Sequence, residues 1–189
     1  MDERVLHPES TLISMRPITP NDVPFIFDIR HSERGKWLNA TSPDIRDQYT
    51  YFDTYLQRFR DGDEIYYMIH DKRRSQDVGI VRMTRIAETE GFGWEGLVLK
   101  PETTPGCAID VAASVYSMGF DWLGRTECGP WKVLKTNTRV MRMHQMMGVA
   151  RTVGEDENNL LVSVTRENFY SGIEALRKRG FGRIHDEHK

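Results

Sequence analysis

The sequence predicts one α/β domain built on a mixed sheet, and three observations predict it. Helical and strand-like segments alternate along the chain, with no internal repeat, low-complexity block or linker to divide it. Its 189 residues, 39% hydrophobic and 29% charged, are enough to bury one sizeable core and short for two. The strand-like runs are rich in Ile, Val and Tyr between turn residues, whereas the helical runs carry cap signals and apolar intervals of three or four.

The first strand is the partly alternating run Leu12 to Ile18. Thr19-Pro20-Asn21-Asp22 then places a capping hydroxyl before a proline suited to a first helical turn, and Val23, Ile26 and Phe27 share one face of the helix that follows. A loop, His31 to Thr41, leads to a second start at Ser42-Pro43-Asp44. From there Ile45, Tyr49, Phe52, Leu56 and Phe59 form an amphipathic helix that Gly62 closes. Glu64 to His70 and Val78 to Ile86 read as a hairpin across the charged turn Asp71 to Ser75.

A third strand of the central run, Phe92 to Lys100, follows the turn Glu88-Thr89-Glu90-Gly91. Its interior Gly93 and Gly96 predict a bulge or a close backbone approach. Ile109, Ala112, Ala113, Tyr116 and Phe120 lie on one face of the next helix, with Gly124 beyond its end. Trp131 to Thr136 is a strand, Asn137 starts a Met-rich helix ending at Gly148, and Leu160 to Arg166 is a last strand after the polar turn Gly154 to Asn159. From about Ile173 the chain reads as a polar tail. The order is β, α, α, β, β, β, α, β, α, β.

Charge excludes some functions. A formal net charge of -2, from 26 basic and 28 acidic residues, supplies no overall field for nucleic acid or an anionic membrane, so any partner must be read by a local site. No apolar stretch approaches the about 20 residues that span a bilayer, and MDERVLHPES lacks a signal-peptide core, which makes a cytoplasmic protein the expectation. Cys107 and Cys128 read as free thiols. The histidines, including His185 and His188 in the tail, stand at no metal-ligand interval, so no metal is expected.

Chemistry concentrates in two segments. In Gly93-Trp94-Glu95-Gly96-Leu97-Val98-Leu99-Lys100-Pro101-Glu102-Thr103-Thr104-Pro105-Gly106-Cys107-Ala108 a strand runs through a tight loop into a helix start. The free N–H groups of such a start can hold a pyrophosphate, and Gly106 lets the backbone approach it, although glycine before a helix is also ordinary capping. The second segment is Asn137-Thr138-Arg139-Val140-Met141-Arg142-Met143-His144-Gln145-Met146-Met147-Gly148-Val149. It resembles the asparagine-led helix ending in Leu-Gly-Phe that closes the cofactor site of the GNAT superfamily of N-acetyltransferases, and the two segments stand in that superfamily's order and spacing.

The resemblance spans nearly the whole chain, from Met15-Arg16-Pro17-Ile18 to the strand ending at Arg166, and implies a single GNAT domain over residues 1–189. It implies a mixed, mostly antiparallel sheet, flanked by helices and splayed between its fourth and fifth strands, with acetyl-CoA in the gap as co-substrate. The cofactor contacts it implies are Leu97, Val98, Leu99, Thr104, Gly106, Cys107, Ala108 and Asn137. There are departures. Thr103 stands where the family usually has Arg or Gln, Pro105 removes one N–H from the cradle, and Val149 replaces the usual Phe.

Glu95 is the candidate base, because amine attack on a thioester needs a neutral nitrogen. An ion-paired strand carboxylate is the alternative. The family's tyrosine, which protonates the departing thiolate, aligns with His144; a histidine can serve if a neighbour keeps it charged, and otherwise packs on its helix face. A backbone amide near Gly96 or Leu97 would meet the oxyanion. Cys107 reads as a bystander to the chemistry.

Within the superfamily the chain is most similar to nucleotide-linked amino-sugar N-acetyltransferases of the pseudaminic acid type. The features are Arg30-His31-Ser32 leading to Lys36-Trp37-Leu38-Asn39, the helix with Tyr49, Phe52, Tyr55 and Leu56, and the strands Glu64 to Ile69 and Val78 to Arg82. The likeness implies acceptor contacts at Trp37 and Asn39, with Arg30 and Arg82 available for an acceptor diphosphate or for ion pairs. The expected partner is a small-molecule amine, with no nucleic acid and no membrane, for a monomer or homodimer. A protein N-terminus, another small amine, and a non-catalytic CoA-binding module are the alternatives.

Overall fold

The computed structural model describes residues 3–89, 91–147 and 150–178. Along it run α1 (Glu3–Leu6), β1 (Ile13–Pro17), α2 (Val23–Arg30), α3 (Ile45–Arg60), β2 (Ile65–Asp71), β3 (Gln76–Thr84) and β4 (Gly91–Leu99). There follow α4 (Cys107–Ser117), β5 (Glu127–Leu134), α5 (Thr138–Met147), β6 (Arg151–Glu155), β7 (Asn159–Thr165) and α6 (Arg166–Lys178). The strands form one seven-stranded sheet in the order β1-β2-β3-β4-β5-β7-β6. Every neighbouring pair is antiparallel except β4 and β5, which are parallel.

Helices cover both faces, and the central strands record it. In β2, Tyr67 and Ile69 enter the core shared with α4, while Tyr66 and Met68 enter the smaller core under α2 and α3. A strand buried on both sides reads as a continuous apolar run, which is why Ile65 to Ile69 shows no alternation. Helix α3 starts where Asp44 accepts the Arg46 N–H at 2.9 Å, and it buries Phe52 and Tyr55 against the sheet. Gly62, at φ +74°, ends it.

The two glycines of β4 do different things. Arg82 pairs with Glu95 and Ile80 with Val98, so β4 carries one residue more than β3 there, at Gly96 with φ +70°. Consequently Trp94 lies on the α4 face, with Leu97 and Leu99 packed against the same core, whereas Val98 lies on the α2–α3 face. Gly93 is the close approach: a Cβ there would meet Thr84 Oγ1 at 2.7 Å and the Arg85 guanidinium at 3.4 Å.

Three elements differ from the sequence reading. Arg151–Glu155, half of which reads as turn, is an edge strand whose single large apolar residue, Val153, is exposed, so no alternation marks it. The tail expected from about Ile173 is helix α6 as far as Lys178. Phe169, Ile173 and Leu176, spaced by four and three among charged residues, are buried, and Phe169 lies 5.5 Å from the rings of both Tyr116 and Phe120. Helix α1, which the polar opening of the chain hides, buries Val5. The stop of α5 at Gly148 with Val149, and the tail histidines His185 and His188, lie outside the described residues. Among the described residues no helix is long and apolar enough to cross a membrane. Cys107 and Cys128 are free and buried.

Candidate active site

Among the described residues β4 and β5 pair through Gly91 with Glu127 and Phe92 with Cys128, and then part. In β5 the register shifts between Cys128 and Trp131, at Gly129-Pro130, while β4 bulges at Gly96. The wedge is held at its root by Arg85. Its Nη2 donates to Phe92 O of β4 at 2.9 Å and to Gly129 O of β5 at 2.8 Å, bridging the two strands where they part. Arg85 itself sits at φ +57°, a left-handed conformation uncommon for a side-chain-bearing residue.

A cleft of about 1340 Å³ runs through the wedge. Leu97, Val98 and Leu99 line it along β4; Arg30, Trp37, Asn39, Tyr51, Arg82 and Glu95 line it from the α2–α3 side. Gly106, Ala108, Asn137 and His144 line it from α4 and α5. Of the site residues expected from sequence, Thr104 and Cys107 stay out of the lining.

Those two exceptions have a physical reason. The Thr104 N–H donates to Asp71 Oδ2 at 2.8 Å, and the Cys107 N–H donates to Thr104 O at 3.2 Å, so neither is free for a ligand. Burial, with Asp71 and Asp110 nearby, pushes the Cys107 thiol up to about 12, which removes it from nucleophilic chemistry. Asp71 is fully buried at the end of β2 and also accepts the N–H groups of Arg73 and Arg74 at 3.0 and 3.2 Å. Burial works to raise its pKa, but the donors from Thr104, Arg74 and Arg73 outweigh it and the carboxyl titrates below its ordinary value. Asp71 therefore ties the hairpin turn to the loop before α4.

What remains of that loop is an anion cradle. Gly106, at φ +99°, caps α4, and among the described residues the N–H groups of Gly106 and Ala108 have no acceptor. Thr103 turns away, donating its hydroxyl to Lys100 O at 2.7 Å. Asn137 caps α5, its Oδ1 accepting the Val140 N–H at 3.4 Å. The donor set and the through-sheet shape fit a phosphate-bearing, extended ligand such as acetyl-CoA.

On the opposite face the Glu95 carboxylate, 51% exposed, is ion-paired with Arg82. Arg82 also donates to the Tyr51 hydroxyl and lies 3.4 Å from Glu64 Oε1. Burial works against its charge, yet Tyr51, Glu95 and Glu64 more than compensate and its pKa is raised. Arg82 is thus committed to two carboxylates, the ion-paired one of the two roles read for it from the sequence. Arg30 donates to Asn39 O at 3.1 Å, and Arg34, which sequence reasoning passed over, donates to Leu99 O at 3.2 Å. Trp37 is 42% exposed with the Lys36 ammonium 5.7 Å from its ring centre, a face turned outward rather than an anchor.

His144 is buried between Trp94, at 5.8 Å, and Trp131, at 5.6 Å, with Nδ1 3.2 Å from the Tyr116 hydroxyl. Burial pushes its pKa down to about 4. The imidazole is neutral at pH 7, because what surrounds it is aromatic and supplies no charge to hold a second proton on it.

Residues 13–150 match the acetyltransferase (GNAT) domain family, which is most of the chain. The chain belongs to that family. This N-acetyltransferase is similar to the solved structure of apo FdhC, described as a nucleotide-linked sugar GNAT, with 26% identity and a TM-score of 0.78 over 90% of this chain and 97% of that one. It shares its fold with Campylobacter jejuni N-acetyltransferase PseH in complex with acetyl coenzyme A, at 18% identity and a TM-score of 0.60, over 82% of this chain and 99% of PseH. It also shares the fold of the Vibrio cholerae spermidine N-acetyltransferase in complex with CoA and spermine, at 13% identity and a TM-score of 0.69, over 84% and 98% of the two chains. No curated protein matches the chain by sequence.

Several residues of this GNAT site carry no signal in one dimension. Asp71 ends a strand like any turn aspartate, and its partner Thr104 is 33 positions away. Trp94 and Trp131 read as strand core. Tyr51 sits on the α3 helix a turn from residues that pack inward.

Proposed function

We propose that the enzyme transfers the acetyl group of acetyl-CoA to the amino group of a nucleotide-linked deoxy-amino sugar. The charge of the cleft carries this reading. Among the described residues Arg30, Arg34, Lys36, Lys132, Arg139 and Arg142 line it against Glu33 and Asp47, with Arg82 and Glu95 paired to each other, in a chain that is net acidic. A cationic lining attracts phosphate-bearing ligands and repels a polyamine, which argues against a spermidine-like acceptor despite the shared fold. The likeness to FdhC points the same way.

In this mechanism acetyl-CoA supplies an acyl carbon activated by its thioester. The Gly106 and Ala108 N–H groups hold phosphate oxygens, and Asn137 and the Leu97–Leu99 edge of β4 position the chain between them and the sheet gap. Glu95, kept in place by Arg82, accepts a proton from the acceptor ammonium directly or through one water. Gly96 and Leu97 fall at the extra residue of the β3–β4 register, and a backbone N–H exposed by this bulge would stabilise charge on the acyl oxygen. An N–C bond forms to the acyl carbon, the C–S bond breaks, and the second proton, shed by the attacking nitrogen as it becomes an amide, passes to the departing sulfur. His144, neutral and held by Tyr116, acts there as a hydrogen-bond donor rather than as an imidazolium.

The test is thiol release from acetyl-CoA against a panel of nucleotide-linked amino sugars, with spermidine alongside. Turnover with one sugar nucleotide and none with spermidine is the expected result. Preference for spermidine would overturn the acceptor assignment.

A further inference from the structure

One stretch of the cleft lining differs chemically from the rest of it. Where the α4 start offers the Gly106 and Ala108 amides, rings from three elements gather beside the strand gap: Trp94 of β4, Trp131 of β5 and His144 of α5. Trp94 is 6% exposed and meets Tyr116 edge to face, with centroids 5.7 Å apart. Trp131 lies over Gly129, where a Cβ would come within 2.5 Å of its indole carbons. Each indole follows within three residues the last paired position of its strand, so the two stand on either side of the wedge just beyond its root.

Gly106, Trp94 and Trp131 line the same cleft, so a ligand whose phosphates sit on Gly106 would extend along β4 toward these rings. We propose that Trp94 and Trp131 are specificity-determining residues that enclose the acyl group and limit its length, admitting acetyl and excluding chains of four carbons. The inference rests on the reading of acetyl-CoA as the donor. Its physical basis is rigidity: both indoles are wedged by neighbours, Trp94 by Tyr116 and His144 and Trp131 by the Gly129 backbone, so neither swings aside without losing packing. A pocket with movable aliphatic walls discriminates poorly between homologues, whereas one closed by fixed rings rejects each added methylene by overlap.

Calorimetric titration of the full chain with CoA, acetyl-CoA and butyryl-CoA tests this without needing the acceptor. Wild type should bind acetyl-CoA at least about tenfold more tightly than butyryl-CoA. Trp131→Ala should shrink that ratio about tenfold, chiefly by tightening butyryl-CoA, with CoA affinity within about twofold of wild type. Trp131→Phe, which keeps an aromatic on Gly129, should shift the ratio the same way by less and serves if the alanine variant does not fold. Equal binding of the two acyl-CoAs by wild type, or an unchanged ratio in folded variants, overturns the proposal while leaving the donor intact. Failure of all three ligands to bind would instead remove the donor reading, and this inference with it.

Discussion

Arg85 donates to the carbonyl oxygen of Gly129 at 2.8 Å across the point where the fourth and fifth strands separate. With its second bond to Phe92 O, the guanidinium stands in for the ladder that the diverging strands no longer make. Arg85→Met leaves both carbonyls without that donor. We expect the folded variant to bind acetyl-CoA about tenfold more weakly, and Arg85→Lys, which can reach one carbonyl at a time, to recover part of the loss. Calorimetric titration on protein shown to be folded by circular dichroism separates this from simple destabilisation.

Glu95→Gln keeps the shape of the side chain and removes the base. Turnover should fall about a hundredfold with acetyl-CoA affinity nearly unchanged. An unaltered rate would assign Glu95 to its ion pair with Arg82 alone.

Asp71→Ala would strand the N–H groups of Thr104, Arg73 and Arg74 and loosen the loop that presents Gly106 and Ala108. The KM for acetyl-CoA should rise about tenfold, while kcat at saturation changes by less than about threefold. A change confined to kcat would show that the loop is held by other contacts.

The buried His144 makes stability depend on pH. Unfolded, the imidazole titrates near its ordinary 6.5; folded, near 4, so between those values the unfolded chain binds more protons and stability drops as pH falls. Urea unfolding at pH 7 and pH 5 should show a loss of ~2 kcal/mol in wild type that His144→Phe lacks. An identical pH dependence in the two proteins would place the titration elsewhere.

Local chemistry was legible where it is local. Asp44 before an amphipathic run, Gly62 after it, the hairpin turn from Asp71 and the irregularity of β4 at Gly93 and Gly96 all follow from conformational preferences spanning a few residues, while which glycine is the bulge and which the close approach came from the structure. Helix α6 and strand β6 were missed because their evidence is tertiary: three apolar residues among charges, and an exposed edge. Gly106 and Ala108 were readable as a helix start. Thr104 and Cys107 looked equivalent beside them, since nothing in the sequence tells which N–H groups of a turn are already spent.

The sequence alone determined the order of elements from β1 to α5, the two glycines that mark irregularity in β4 and the residue types gathered near them, because each depends on a chain neighbourhood of about ten residues. Only the tertiary structure decided which charges are free and which histidine is neutral. Arg82 and Arg30 are indistinguishable as letters; one is claimed by Glu95 and Glu64, brought together by three adjacent elements, and the other is not. His144 is neutral because Trp94, Tyr116 and Trp131, from three further elements, exclude the water that would solvate its charge. Electrostatic free energy depends on distance and solvent access in space, and neither is a function of separation along the chain.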